Sequence, residues 1–201
     1  MNDSIFLDQP NIYPQLLAHA EEIGFTMPSD LYIGSLLKTL ITSKSKANIL
    51  ELGTGASLSL AWMIDGLTPE SQLTTVDNNP QLSAIAVQYF GNDHRVEIVC
   101  ADGSDWIRQY KGNKFDLVFA DAWPGKYSEI QEILNLIDIG GMYIIDDMTT
   151  QPNWPEDHQE KVDGLIAYLE QREDFNITKL DWSTGVIIAI KKHSYDTSIS
   201  R

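Results

Sequence analysis

The chain alternates short apolar runs with amphipathic stretches of helical periodicity, and this alternation limits the folds open to it more than any other feature. The strand-like runs lie at 48–52, 73–77, 96–100, 115–120 and 142–146, and the helical stretches lie near 57–66, 80–90, 104–110 and 127–138. Strands that alternate with helices form parallel sheets with crossover helices on the two faces. The sequence therefore predicts an α/β fold with a doubly wound, mostly parallel sheet.

The two ends of the chain depart from this alternation. Residues 1–46 show helical patterning punctuated by prolines, and we expect them to form a flank or lid. A predicted helix at 156–173 precedes two further apolar runs, 176–182 and 184–191. Because these runs lie so close around Ser183, they must pair as an antiparallel hairpin.

Length and cysteine content bound the organisation of the chain. At 201 residues it has the size of one domain, for which we expect a core at 47–192 and a polar tail at 193–201. Cys100, the single cysteine, lies among apolar neighbours, which predicts a buried side chain. No internal disulfide is available, and the sequence shows no signal-peptide pattern and no apolar run long enough to span a bilayer. We therefore expect a cytoplasmic protein that does not associate with a membrane.

The charge of the chain bears on its partners. The 29 acidic and 14 basic residues give a formal net charge of −15. This field repels phosphate backbones, and the sequence has no basic stripe with interleaved aromatics, so we expect no nucleic-acid partner. A small neutral or cationic ligand suits the chain better.

Acidic residues follow the predicted parallel strands, at or just beyond their carboxyl ends. They are Glu51, Asp77, Asp102, Asp121 and Asp146, with Asp147 next. In an open parallel sheet these ends share one edge, which is where ligands bind. Single acids at such positions are also common as turn formers and helix caps, but five in succession favour a ligand-facing collar.

The loop after the first strand narrows the choice of ligand. Gly53 and Gly55 let the backbone turn sharply and approach a ligand before the next helix begins. Leu58 stands where a dinucleotide fingerprint needs a third glycine, and no Gly-Lys-Ser/Thr of a P-loop is present. A ligand with a ribose, an ammonium and a positive sulfur fits this acidic edge better than a phosphate does.

Two of the acids suit parts of such a ligand. Asp77 ends the second strand, 24 residues after Gly53, where a carboxylate can accept hydrogen bonds from both ribose hydroxyls. Asp102 lies where an adenine amino group would be received, although Asp102-Gly103-Ser104 is also an ordinary turn sequence.

These residues resemble class I S-adenosylmethionine-dependent methyltransferases over nearly the whole chain. Residues 49–59 are similar to the glycine-rich motif of that class, Val76-Asp77 to its ribose acid, and residues 140–147 to its fifth-strand motif. The resemblance implies a seven-stranded Rossmann-like sheet, closed by an antiparallel hairpin, and S-adenosylmethionine as cofactor.

Within the class, the sequence most resembles small O-methyltransferases of the catechol and caffeoyl-coenzyme A type. Residues 121–127 match the catechol enzyme's Asp-His-Trp-Lys-Asp-Arg-Tyr at the first, third and last positions. The resemblance implies that Trp123 packs on adenine and that Asp121, Asp146 and Asp147 could hold Mg²⁺ or another divalent cation through oxygen ligands. The residues expected to bind the cofactor are Glu51, Gly53, Thr54, Gly55, Ser59, Asp77, Asn78, Asp102, Gly103, Asp121 and Trp123.

Two departures from the O-methyltransferase pattern affect the expected chemistry. Pro124 occupies the position of the catalytic Lys and cannot take a proton, while Lys126 is the nearby basic residue. Asp147 replaces an Asn, which either tightens metal binding or leaves a metal-free site whose acids accept hydrogen bonds. The catalytic candidates are Asp121, Lys126 and Asp147, with Asp121 or Asp147 as the base if no metal binds.

The predicted function is O-methylation of a small-molecule hydroxyl. Asn153, Trp154 and His158 lie after the fifth strand in a loop that can cover the cleft, and Asn153 and Trp154 are the expected acceptor contacts. His158 is expected to be solvated rather than catalytic, and Tyr127 to pack at the start of a helix. Two alternatives stay open, a methyltransferase acting on a protein or an RNA-borne group and a non-catalytic adenosylmethionine-binding protein. A homodimer also stays open.

Overall fold

In the computed structural model, which describes residues 5, 8–151 and 154–193, one seven-stranded sheet organises the chain in the order β3-β2-β1-β4-β5-β7-β6. Its strands are β1 (Asn48–Leu52), β2 (Gln72–Asp77), β3 (Val96–Cys100), β4 (Phe115–Ala120), β5 (Ile137–Ile145), β6 (Phe175–Leu180) and β7 (Val186–Lys191). The first five strands pair in parallel, and β7 pairs antiparallel with both β5 and β6. The predicted α/β architecture and the closing hairpin are confirmed.

Helices cover both faces of the sheet. Those of the described part are α1 (Tyr13–Glu22), α2 (Leu31–Thr42), α3 (Leu58–Gly66), α4 (Pro80–Phe90), α5 (Gly103–Gln109), α6 (Ile130–Asn135) and α7 (His158–Glu170). α1 to α4 pack with one core cluster and α5 to α7 with the other. Along β4, Leu117 and Phe119 face the first cluster while Val118 and Ala120 face the second, because successive side chains of a strand point to opposite faces.

The segment between β4 and β5 differs from its prediction. The helix predicted at 127–138 is only Ile130–Asn135, so Tyr127 lies in a loop rather than at a helix start. Gly125 and Glu129 adopt positive φ, of 83° and 51°, and this shape delays the helix. β5 in turn begins five residues earlier than predicted, and Gly140, with φ of 76°, lies at an irregularity within the strand.

The edge of the sheet corrects the prediction for Cys100. β3 is an edge strand, and only one of its two sides is hydrogen-bonded to a neighbour. The Cys100 side chain is exposed there instead of being buried.

In the described residues, none of the helices combines the length and apolar character needed to cross a bilayer.

The N-terminal helices α1 and α2 pack on the same face of the sheet as α3 and α4. α1 and α2 contact α3, where Tyr13 meets the buried Trp62 edge to face at 5.9 Å. The connection between α1 and α2 then passes over the carboxyl ends of the parallel strands, which places residues 25–30 beside the loop after β1.

Candidate active site

A cavity of about 790 Å³ lies at the carboxyl edge of the parallel strands. Its walls come from the loops after β1, β2, β4 and β5, from residues 25–30 and from the start of α7. Cavities of this size hold small-molecule ligands and cofactors. The edge predicted from the acidic collar is therefore the edge that carries the cavity.

Glu51 supports the cavity from below rather than lining it. Its side chain is fully buried, and its two carboxylate oxygens accept hydrogen bonds from Ser59 Oγ and Thr75 Oγ1, both at 2.6 Å. The Thr75 hydroxyl also lies 2.6 Å from that of Thr54. Burial raises the pKa of Glu51 to about 7, against the lowering effect of these hydrogen bonds.

The glycine loop and Asp77 form the part of the wall next to Glu51. Gly53 has φ of 96°, and a Cβ on it would lie only 2.5 Å from the backbone oxygen of Asp121, so glycine is required for this close approach. Asp77 accepts hydrogen bonds from the backbone N–H groups of Gly55 at 2.9 Å and Asn79 at 2.8 Å. These bonds fix the carboxylate at the cavity wall.

Asp102 has a local role at the start of α5. Its side chain is exposed and accepts a hydrogen bond from the N–H of Asp105 at 2.9 Å, which is the N-cap arrangement. Gly103 lines the cavity, but Asp102 does not. The predicted adenine contact by Asp102 finds no support in this position.

Asp121, Asp146 and Asp147 converge at the ends of β4 and β5. One carboxylate oxygen of each lies within 4.8 Å of the others. Burial raises the pKa of Asp121 to about 6 and that of Asp146 well above its ordinary value, because an ionised carboxyl loses hydration there. Asp121 accepts a hydrogen bond from Ser29 at 3.1 Å, whereas Oδ1 of the buried Asp146 has no hydrogen-bond donor.

Lys126 brings a buried cation to these three carboxylates. Its side chain is about 6% exposed, and Nζ lies 3.9 Å from Asp146 Oδ1. Tyr143 donates a 2.6 Å hydrogen bond to the Gly125 carbonyl and so holds the loop that carries Lys126. Burial acts to lower the pKa of Lys126, but the charges of Asp146 and Asp121 raise it above its ordinary value. The ammonium therefore stays protonated at neutral pH.

Four ring-bearing residues, Trp123, Tyr127, Trp154 and His158, form a group on the β4–β5 side of the cavity, here called the aromatic cluster. The His158 ring lies 4.4 Å from Trp154, 5.4 Å from Tyr127 and 6.0 Å from Trp123 between centroids. Tyr127 Oη lies 3.2 Å from His158 Nε2. Trp123 is half exposed.

Most of the predicted site residues line the one cavity. They are Gly53, Thr54, Gly55, Ser59, Asp77, Asn78, Gly103, Asp121, Trp123, Lys126, Asp146, Asp147 and Trp154. Asn153 lies outside the described residues. The sequence analysis placed His158 in the loop over the cleft but expected it to be solvated, and it missed Ser29 and Tyr127 as cavity residues. For Tyr127, its match to the last position of the catechol-type motif was the available signal.

Comparison with known proteins agrees with this geometry. A family profile described as O-methyltransferase matches residues 16–191. A Mycobacterium leprae protein named "Putative O-methyltransferase" is 31% identical over 109 residues, which cover 52% of this chain and 48% of that protein, so the chain aligns with about half the length of such relatives.

Solved structures share the fold at low sequence identity. The O-methyltransferase TomG of Streptomyces achromogenes, solved with S-adenosylmethionine, is 22% identical with a TM-score of 0.79 over 94% of this chain and 93% of that one. An O-methyltransferase of Bacillus cereus, solved with S-adenosylhomocysteine, is 19% identical with a TM-score of 0.79 over 94% of each chain.

Proposed function

Because this chain belongs to the O-methyltransferase family, we propose that it transfers the methyl group of S-adenosylmethionine to an oxygen of a small-molecule acceptor. The observation that carries the proposal is the meeting of Asp77, the glycine loop and Asp121 in one cavity of about 790 Å³. Carboxylates at this edge favour a ligand that has ribose hydroxyls, an ammonium and a sulfonium.

Each part of the cavity has a place in the proposed reaction. Asp77 would accept the ribose hydroxyls, the loop from Gly53 to Gly55 would approach the donor with its backbone, and Trp123 would cover the adenine. The acceptor oxygen then attacks the methyl carbon in line, the new C–O bond forms, and the electron pair of the broken C–S bond stays on sulfur. Alignment of this kind lowers barriers by roughly 7–11 kcal/mol.

The acidic triad, Asp121, Asp146 and Asp147, fits a divalent cation. All its donors are carboxylate oxygens, the kind that Mg²⁺ prefers, and the unpartnered Oδ1 of Asp146 is available as a ligand. When bound, the cation would stabilise the acceptor in its deprotonated form. Lys126 places a second positive charge beside the same carboxylates. Undiminished methyl transfer in excess EDTA would remove the cation from this proposal.

The cofactor proposal is tested by calorimetry with S-adenosylmethionine. We expect Asp77→Ala to weaken binding at least tenfold, since it removes a ribose acceptor together with two bonds that order the loop. The matched control is Asp102→Ala, also an acid after a strand, which caps α5 outside the cavity and should leave affinity within about twofold. Equal affinities for wild type and Asp77→Ala would contradict the proposal.

The acceptor class is tested by a radiolabelled methyl screen over phenols, amines and proteins. Labelled phenol ethers are the expected product. Label on protein or RNA would favour the first alternative, and binding without transfer would favour a non-catalytic role.

We also propose a cytoplasmic location, consistent with the single free cysteine. The homodimer stays a prediction that light scattering can test.

A further inference from the structure

The aromatic cluster contains two polar groups that donor binding leaves without a role. Tyr127 and His158 both line the cavity, and neither belongs to the glycine loop, to Asp77 or to the acidic triad. Tyr127 comes from the loop after β4 and His158 from the start of α7. The two groups therefore meet on the β4–β5 side of the cavity, near enough to Asp147 for its charge to act on both.

Their geometry is that of a hydrogen-bonded pair held in place by packing. Tyr127 Oη lies 3.2 Å from His158 Nε2, with the two rings nearly perpendicular at 84°. Trp154 packs on the imidazole from another side at 4.4 Å between centroids. Rings fixed in this way lose little freedom when an acceptor arrives.

The surrounding charges set the protonation of the pair. His158 faces Lys126 and Asp147 from the loops after β4 and β5, and Lys161 and Asp157 from its own helix and cap. Burial first, then the two lysines, lower the pKa of His158, so the imidazole is neutral at physiological pH. Burial raises the pKa of Tyr127, which keeps its proton and can pass it on.

Methyl transfer to a hydroxyl needs a group that takes up a proton. Lys126 is already protonated beside Asp146 and has no lone pair to offer. Pro124, at the same stretch of loop, has no titratable group. Asp121 and Asp147, the other base candidates, belong to the acidic triad that would hold the cation. Among the cavity-lining residues of the described ranges, His158 supplies the one imidazole.

We propose that Tyr127 and His158 form a proton relay for the acceptor hydroxyl. The acceptor O–H bond breaks as its proton passes to Tyr127 Oη, while the phenolic proton of Tyr127 passes to His158 Nε2. The oxygen pair released attacks the methyl carbon, and the C–S electron pair remains on sulfur. The relay rests on the proposed function, because it serves the same transfer.

The first test measures the methylation of catechol against pH, because the hydroxyls of catechol stay protonated at neutral pH and need a base. General-base catalysis of this kind is worth roughly 10²–10⁴-fold, so we expect His158→Gln to lower kcat/KM by at least 10²-fold and to change the shape of the acidic limb of the profile, to which Asp121, with a pKa of about 6, also contributes. Tyr127→Phe should cause a similar loss, and the double variant should lose no more than either single one. Affinity for S-adenosylhomocysteine should stay within about twofold throughout.

The molecule offers a matched control. His19 and Tyr89 form another imidazole–phenol pair at 3.2 Å, between α1 and α4 and away from the proposed active-site cavity. His19→Gln should leave the rate and the pH profile unchanged. An acidic limb of unchanged shape in His158→Gln, or losses that add up in the double variant, would overturn the relay.

A second measurement needs no turnover. In the complex with S-adenosylhomocysteine at pH 7, nitrogen NMR should show a neutral His158 imidazole whose Nε2 carries no proton in wild type, and the Nε2 signal should shift in Tyr127→Phe. An Nε2 that carries the proton, or a signal that does not respond to Tyr127→Phe, would overturn the relay. Failure of the proposed function would give a different result, because wild type would then show no S-adenosylmethionine binding in calorimetry.

Discussion

Two neighbouring parts of the cavity edge differ in how their carboxylates are hydrogen-bonded. At the ends of β1 and β2, both oxygens of Glu51 and both of Asp77 accept hydrogen bonds from the protein itself. At the ends of β4 and β5, Oδ1 of Asp146 has no donor and Lys126 Nζ lies beyond hydrogen-bond distance at 3.9 Å. We call these parts the donor edge and the reaction centre. The carboxylate oxygens of the donor edge all have donors in the protein itself, whereas the reaction centre keeps a buried oxygen that has none.

Lys126→Met should break the reaction centre and have the largest effect on stability. Removing one partner of a buried ion pair typically costs about 3–5 kcal/mol of unfolding free energy. We expect this loss in urea titrations at pH 8, and a smaller one at pH 5, because the raised pKa values of Asp121 and Asp146 let those groups take up protons. Added MgCl₂ should restore part of the loss by binding the carboxylates of the acidic triad.

The control for Lys126→Met is a lysine of the surface. Lys179 pairs with Glu170, with both side chains about half exposed, and such pairs contribute little. Lys179→Met should therefore leave the urea midpoint almost unchanged at both pH values. If Lys126→Met behaved in the same way, the reaction centre would not depend on its buried cation.

Glu51→Gln tests whether the donor edge is as complete as its hydrogen bonds indicate. The folded-state pKa of Glu51, about 7, lies above its ordinary value of 4.5, so its contribution to stability is full below 4.5 and is lost as the pH rises through 7. The unfolding free energy of wild type should fall relative to Glu51→Gln by about 2–3 kcal/mol between pH 5 and 8. Parallel pH curves for the two proteins would mean that Glu51 is not buried as an acid.

The donor edge was the part that the sequence predicted best. Gly53 and Asp77 follow strands whose alternation is plain in the sequence, and parallel pairing brings strand ends to one edge whatever their exact bounds. Asp102 shows the limit of that reasoning, because an acid after a strand serves equally well as a helix cap.

The contacts of the reaction centre and the aromatic cluster were harder to predict, because they join loops from distant parts of the chain. Ser29 bonds to Asp121 across 92 residues, and Tyr127 meets His158 across 31. No periodicity connects such positions, and the positive φ values at Gly125 and Glu129 that turn Tyr127 into the cavity leave no hydrophobic pattern. Exact loop conformation decides these contacts, and it is the least predictable feature of a fold.

Gly53 is the joint between the two parts, and Gly53→Ala should have the smallest but most specific effect. Alanine at φ of 96° costs about 1–2 kcal/mol, and its Cβ would also press on the Asp121 backbone oxygen 2.5 Å away.

Gly24→Ala is the matched control, since Gly24 has φ of 69° and open space around its missing Cβ. Both variants place alanine at a positive φ, so the difference between their urea midpoints reports mainly the contact between the loop after β1 and the Asp121 backbone after β4. We expect Gly53→Ala to lose about 2 kcal/mol against about 1 for Gly24→Ala, and to weaken S-adenosylmethionine binding in calorimetry while Gly24→Ala does not. Equal losses with unchanged binding would mean that the donor edge and the reaction centre move independently, and the two parts would then have to be treated as separate sites.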